Sequence, residues 1–379
     1  MKGKQGLVCM GLLLVLSSCS CHTGKQITAS GLQRKDFQTE VNGQHTDLFT
    51  LSNKQGMEVC ITNYGARVVS ILVPDRNGKR EDVVCGFSTI TEYMEQRQNF
   101  GSTVGRYIGR ILNARFTLDG VKYKLVPNNG KSGHISHGGN PGFADRIWKV
   151  EQADTHRVRL SYLSPDGENG FPGNLKVTLV YSLGEDDNAL DLTYEATTDA
   201  PTVLNLSHHS FFNISGNFTK SVEDQQLWVD ADRFTPYDDK KCVTGEYLPV
   251  AGTPLDFRMP HTIGECIDAD HPQLKVVNGY DHTWELNTKG DDTRPAAWVY
   301  DPASGRKMEI FTTEPGMQIY TGNGLKGKMT GKGGIAYPFR SAVCFETMHF
   351  QDSPNQPGFP STVLRPGEVF RSHTVYKFE

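Results

Sequence analysis

Four short polar clusters carry the groups in this chain that could do chemistry. They are Ser136-His137-Gly138-Gly139, the run from Asn205 to Asn213 that contains His208 and His209, Gly279-Tyr280-Asp281-His282, and Cys344-Phe345-Glu346-Thr347-Met348-His349. Each sits at the end of an apolar, alternating segment. Imidazole and carboxylate groups trade protons near neutral pH, and amide, Arg and Asp side chains hydrogen-bond hydroxyls. Polar residues from distant stretches, set on a rigid β scaffold, can assemble acid–base chemistry on a polyhydroxyl ligand without a metal or nucleotide.

Other chemistries fit less well. Gly322-Asn323-Gly324-Leu325-Lys326-Gly327 has the spacing of a glycine-rich phosphate loop, but Met329 stands where a magnesium-binding Ser or Thr would be. No helical pattern follows to offer a positive helix end, so a plain glycine-rich loop is expected. His134 and His137 are three apart and His208 adjoins His209. Neighbours on a strand point to opposite faces, so His208 and His209 cannot both face one ion, and no metal site is expected. A Gly-x-Ser-x-Gly elbow is absent, which leaves Ser207 and Ser210 as strand-end hydroxyls.

The elements that must position these clusters read as strands. Leu175, Val177, Leu179, Tyr181 and Leu183 alternate with polar residues, Gly184 to Asn188 turns the chain, and Leu190, Leu192, Tyr194 and Ala196 alternate on the return. Phe116 and Leu118 lead through Asp119-Gly120 into Val121, Tyr123 and Leu125, a tight-hairpin signal. Trp298 to Tyr300 and Met308 to Phe311 flank a further turn. Thr89-Ile90-Thr91-Glu92 predicts one short capped helix running through Met94. With 39 Gly and 19 Pro as punctuation, the chain is expected to be all-β, a large antiparallel β-sandwich with few short helices.

The N-terminus has the order of an export signal: Lys2 and Lys4, an apolar run from Leu7 to Leu16, then Leu16-Ser17-Ser18-Cys19. The apolar run is too short to span a bilayer, and the last four residues resemble a bacterial lipobox. The expected organisation is a lipoprotein signal peptide over 1–18, lipidation at Cys19, a flexible tether over 19–40, and one catalytic domain over 41–379. Such a protein would be exported and lipid-anchored in the cell envelope, with no other membrane contact. Removing residues 1–18, which hold two lysines and no acids, leaves 37 basic against 43 acidic residues, a net −6. That balance gives no footing for nucleic acid. The body cysteines Cys60, Cys85, Cys242, Cys266 and Cys344 are widely spaced and read mostly as small buried hydrophobes, without a disulfide framework.

From about Asp47 onward the sequence resembles the aldose 1-epimerase (galactose mutarotase) family. The resemblance runs in order through Asn63-Tyr64-Gly65-Ala66, Gly105 to Ile111, Phe116 to Gly120, Asn128-Asn129-Gly130 and His137-Gly138-Gly139. It continues through the Asn205 to Asn213 run, Gly279 to His282, Thr313 to Asn323, Phe345 to Asn355 and Val363 to Glu368. It implies an open sugar cleft, no cofactor, and interconversion of the α and β anomers of free aldohexoses such as galactose and glucose. Carried over by matching motif, Glu346 would be the general base and His209 the general acid, with His137 assisting at the ring oxygen. Arg110, Asp281 and Gln318 would bind sugar hydroxyls. Apart from that carry-over, Tyr280 or Trp284 could stack on the sugar face or equally belong to the core.

The chain departs from the family pattern at Ile108-Gly109, where Ala-Asn is common, so one amide contact is missing. Ser136 stands in place of Leu, and His208 in place of Asn. These changes are expected to touch the cleft wall more than the proton-transfer pair. A carboxylate ionised at neutral pH, its basicity raised by partial burial, and an imidazole near its ordinary pKa of about 6.5 would suit the two roles. A non-catalytic carbohydrate-binding lipoprotein and a glycoside hydrolase using Asp281 with Glu346 are the rival readings.

Overall fold

The computed structural model describes residues 26–379. Within them the chain forms three larger antiparallel sheets, of nine, six and four strands, with several two-stranded ribbons. The nine-stranded sheet is built around the long hairpin of Leu175–Leu183 and Ala189–Thr198, paired from Leu175↔Thr198 to Leu183↔Leu190. The last strand, Phe370–Phe378, lies against this hairpin and joins it to Lys307–Thr312 and Ala297–Tyr300. The six-stranded sheet runs in the order Phe211–Phe212, Val343–Met348, Gly316–Tyr320, Asp281–Glu285, Arg233–Thr235, Leu248–Pro249.

Alternation determines what each face does. Val343 and Phe345, with Met317 and Ile319 of the next strand, join a core that also takes Leu179 and Leu192 from the nine-stranded sheet and Val59 and Val68 from the four-stranded one. The residues between them, Cys344, Glu346, Met348, Gln318 and Tyr320, therefore point to the opposite face. A face that must carry polar groups is thus set on a sheet whose other face is anchored in the shared core.

The Asp119-Gly120 hairpin forms as expected, with Val121↔Leu118 closing it and positive φ at both turn residues. The helix at Ile90–Gln96 has the anticipated Thr89 cap, with Glu92 completing a capping box. A second short helix, Pro272–Val277, was not anticipated; its signal was punctuation, Pro272 at its start and Asn278 in left-handed conformation at its end. The expected tether needs correction. Cys19 and the leader lie outside the described residues, but Leu32 and Phe37 are buried against the body. Ala29 N–H donates to Glu58 Oε1 (2.7 Å) and Arg34 Nε to Asp47 Oδ1 (2.8 Å). Two apolar side chains and a charge pair dock this stretch, so any tether ends before about residue 28.

Candidate functional site

Register across the six-stranded sheet places three of the expected residues side by side. Gln318 is the partner of Glu346, Thr283 of Gln318, and Asp281 of Tyr320, so Asp281, Gln318 and Glu346 project from the same face of three adjacent strands. His209 ends the strand Ser207–His209, which pairs with Ser102–Val104. It shares its side with Phe211, two residues on, and the two rings stack at 5.1 Å. Arg110 and Ser136 are opposite each other in a short ribbon, and His137 follows at once, its N–H bonded to Gly109 O (2.9 Å). Arg110, His137, His209, Asp281, Gln318 and Glu346 all line one cavity of about 250 Å³, smaller than the ~300–1,000 Å³ of drug-sized sites.

His209 Nε2 lies 3.3 Å from Glu346 Oε1, with both side chains nearly fully buried. Burial pushes the Glu346 carboxyl well above its ordinary range; Asp281 adds to the rise and Arg110 opposes it. Burial also drives His209 well below its ordinary value, helped by His137 and His208. The rise at Glu346 has the direction expected from burial, and the fall at His209 corrects the expectation of an imidazole near its free value. Both are pushed toward their neutral forms, so the pair holds one proton between them. His137 is lowered to about 4 by burial and then by Arg110. A neutral imidazole at that position hydrogen-bonds; it does not act as a proton reservoir.

His137 adopts a positive φ of 52° and is followed by Gly138 at φ 78°. A Cβ on Gly138 would sit 2.0 Å from Gly105 O, so the backbones can approach only because no side chain is there. Gly138→Ala is expected to cost about 1–3 kcal/mol and to lower activity by displacing His137. Thermal unfolding and polarimetry would read this, and parental stability would refute it.

Several expectations move. Tyr280 and Trp284 are fully buried and bond to Pro254 O and Leu255 O; Trp284 sits on the core face by alternation, and neither lines the cavity. Phe211 and Tyr320 are the aromatic groups that do. His208 points away from the cavity, with Nε2 2.6 Å from Ser210 Oγ and its ring near Tyr181 and Tyr376, so that departure is in the interior and not on the cleft wall. Gly109 and Ser136 do lie on the wall. His134 accepts from Asn113 N–H and faces Cys242 Sγ at 3.2 Å. Gln98, Asn99 and Gln351 also line the cavity; nothing in the neighbouring sequence distinguishes them from the other amides of the chain. Cys60, Cys85 and Cys344 are buried free thiols. Among the described residues, His209, Cys344 and Glu346 have potential ligand atoms within 4.8 Å of one another, and burial holds the Cys344 thiol well above its ordinary pKa.

The sequence model of the family described as aldose 1-epimerase matches residues 47–377. Galactose mutarotase of Bos taurus is 40% identical over 331 residues, covering 87% of this chain and 93% of the relative. Aldose 1-epimerase of Escherichia coli K12 is 36% identical over 339 residues, 89% of this chain and 96% of the relative. Among solved structures, the GalM/aldose epimerase homologue from C. elegans superposes with a TM-score of 0.81 at 31% identity, covering 88% of this chain and 99% of that one.

Proposed function

The chain belongs to the aldose 1-epimerase family, and we propose that it interconverts the α and β anomers of free aldoses with Glu346 as general base and His209 as general acid. The observation that carries this reading is the 3.3 Å contact between the two groups at the wall of a monosaccharide-sized cavity. In ring opening, Glu346 takes the proton of the C1 hydroxyl, the C1–O5 bond breaks as the C1 carbonyl forms, and His209 gives its proton to O5. Rotation about C1–C2 turns the other aldehyde face. On closure O5 attacks, His209 recovers the proton and Glu346 returns one to O1. The pair begins and ends with a single proton; burial rests that proton on Glu346, and ring opening proceeds from the tautomer that carries it on His209. Arg110 and Asp281 hold the ring by charge-assisted hydrogen bonds to hydroxyls, and positioning both reacting groups against one sugar removes any need for a covalent intermediate. Proton NMR of anomer exchange across a panel of free aldoses tests the reading; exchange no faster than in buffer would end it.

The shared proton has a pH consequence. A depressed His209 accepts a second proton only below its ordinary value of about 6.5, and a raised Glu346 gives up the shared one only above its own ordinary range. We therefore expect the acid limb of kcat/KM to lie below about pH 6.5, where the pair takes its second proton. An acid limb centred at about 6.5 or above would exclude the shared-proton description.

Export and anchoring belong to the same proposal. Lys2, Lys4, the Leu7–Leu16 run and Leu16-Ser17-Ser18-Cys19 support a lipid-modified Cys19 that holds the enzyme in the bacterial envelope. Cys19→Ala is expected to stop incorporation of labelled palmitate and to release the protein from the membrane fraction. Unchanged labelling would remove the anchor.

A further inference from the structure

Gly109 leaves a stretch of the cavity wall without a side chain. The space is not empty. With φ at +74°, a Cβ on Gly109 would sit 2.5 Å from Gln351 Cγ, so the Gln351 side chain lies across the bare backbone. Gln351 comes from the segment after the Glu346 strand and is buried to 4% exposure. Its amide ties together the groups expected to hold sugar hydroxyls. Nε2 donates to Tyr237 OH (2.7 Å) and to Gln318 Oε1 (3.3 Å), and Oε1 accepts from Arg110 N–H (3.3 Å). Gln318 in turn donates to Asp281 Oδ1 (2.7 Å), and the Arg110 guanidinium lies 6.0 Å from the Tyr237 ring centre.

We propose that Gln351 is a positioning and specificity-determining residue: it fills the space above Gly109 and fixes Arg110, Gln318 and, through Gln318, Asp281 against the sugar. This rests on the reading of the cavity as the sugar site. Two positions far apart in the chain are coupled sterically, since a side chain at 109 and the glutamine at 351 compete for one volume. They are also coupled chemically, because each can supply the wall with an amide.

The test is a double-mutant cycle with a binding readout. Gln351→Ala is expected to raise KM for galactose about three- to tenfold, the worth of one or two net hydrogen bonds, with kcat changed less than KM. The same weakening is expected for galactose titrated into the Glu346→Gln protein with and without Gln351→Ala, where turnover plays no part. Gly109→Asn alone should bind sugar poorly or fold poorly, because its Cβ meets Gln351. Asn tolerates positive φ better than most residues, so Gly109→Asn/Gln351→Ala should fold and recover KM toward the parent. An unchanged KM in Gln351→Ala, or a double variant no better than its parents, overturns the proposal. If neither Gly109→Asn protein folds, the Gln351→Ala KM decides alone. Full activity in Glu346→Gln would instead strike the acid–base reading, so the two failures are distinguishable.

Discussion

Glu346→Gln is expected to lower kcat for anomer exchange by about 10²–10⁴-fold, the usual contribution of a positioned acid–base group, while leaving the fold intact. The substitution keeps shape and removes only the ability to take and return a proton. Burial already presses Glu346 toward its neutral form, so a neutral amide at 4% exposure should match or slightly exceed the parent in thermal stability, as residues kept for function at a cost in stability tend to. Polarimetry on freshly dissolved α-D-galactose, corrected for spontaneous mutarotation, reads the first effect and a melting curve the second. An undiminished rate would take Glu346 out of the chemistry. A large loss of stability would mean that the carboxylate holds the structure together through contacts other than His209.

Arg106→Met should have the largest effect on folding. The Arg106 guanidinium is 2% exposed and donates to the carbonyls of Ser164, Pro165, Pro172 and Gly173 and to the hydroxyls of Ser164 and Thr202. Burial lowers its pKa to about 10, which leaves it charged at neutral pH. An apolar replacement strips these acceptors of their donor inside the protein, a loss of about 3–5 kcal/mol. It also loosens the segment that leads through Gly109 to Arg110, so kcat/KM should fall as well. Lys should not rescue it, since a single ammonium cannot reproduce a planar fork of donors. A denaturation midpoint equal to the parent's would show that these acceptors are satisfied without it.

Much of the site could be read from residue order alone. Alternation along Cys344-Phe345-Glu346 and Asp281-His282-Thr283-Trp284 already states that Glu346 and Asp281 face one way while Phe345 and Trp284 face the other. The same parity decides between the two places open to Tyr280 and Trp284, the sugar face and the core, in favour of the core. His208 shows the same lesson, since the rule that separates it from His209 also removes it from the cleft wall. Leu32 and Phe37 were submerged in a polar stretch, where two apolar residues do not make a period.

What the sequence determined by itself was the strands, their tight turns and the face of each side chain, because those follow from steric rules acting between residues close in the chain. The tertiary structure alone decided that Gln318 meets Glu346 in register, that Gln351 fills the space over Gly109, and that His209 and Glu346 lose their ordinary pKa values together. Register depends on how two neighbouring strands pair, and steric competition and desolvation here depend on segments more than 100 residues apart arriving at one place; no local pattern encodes either meeting.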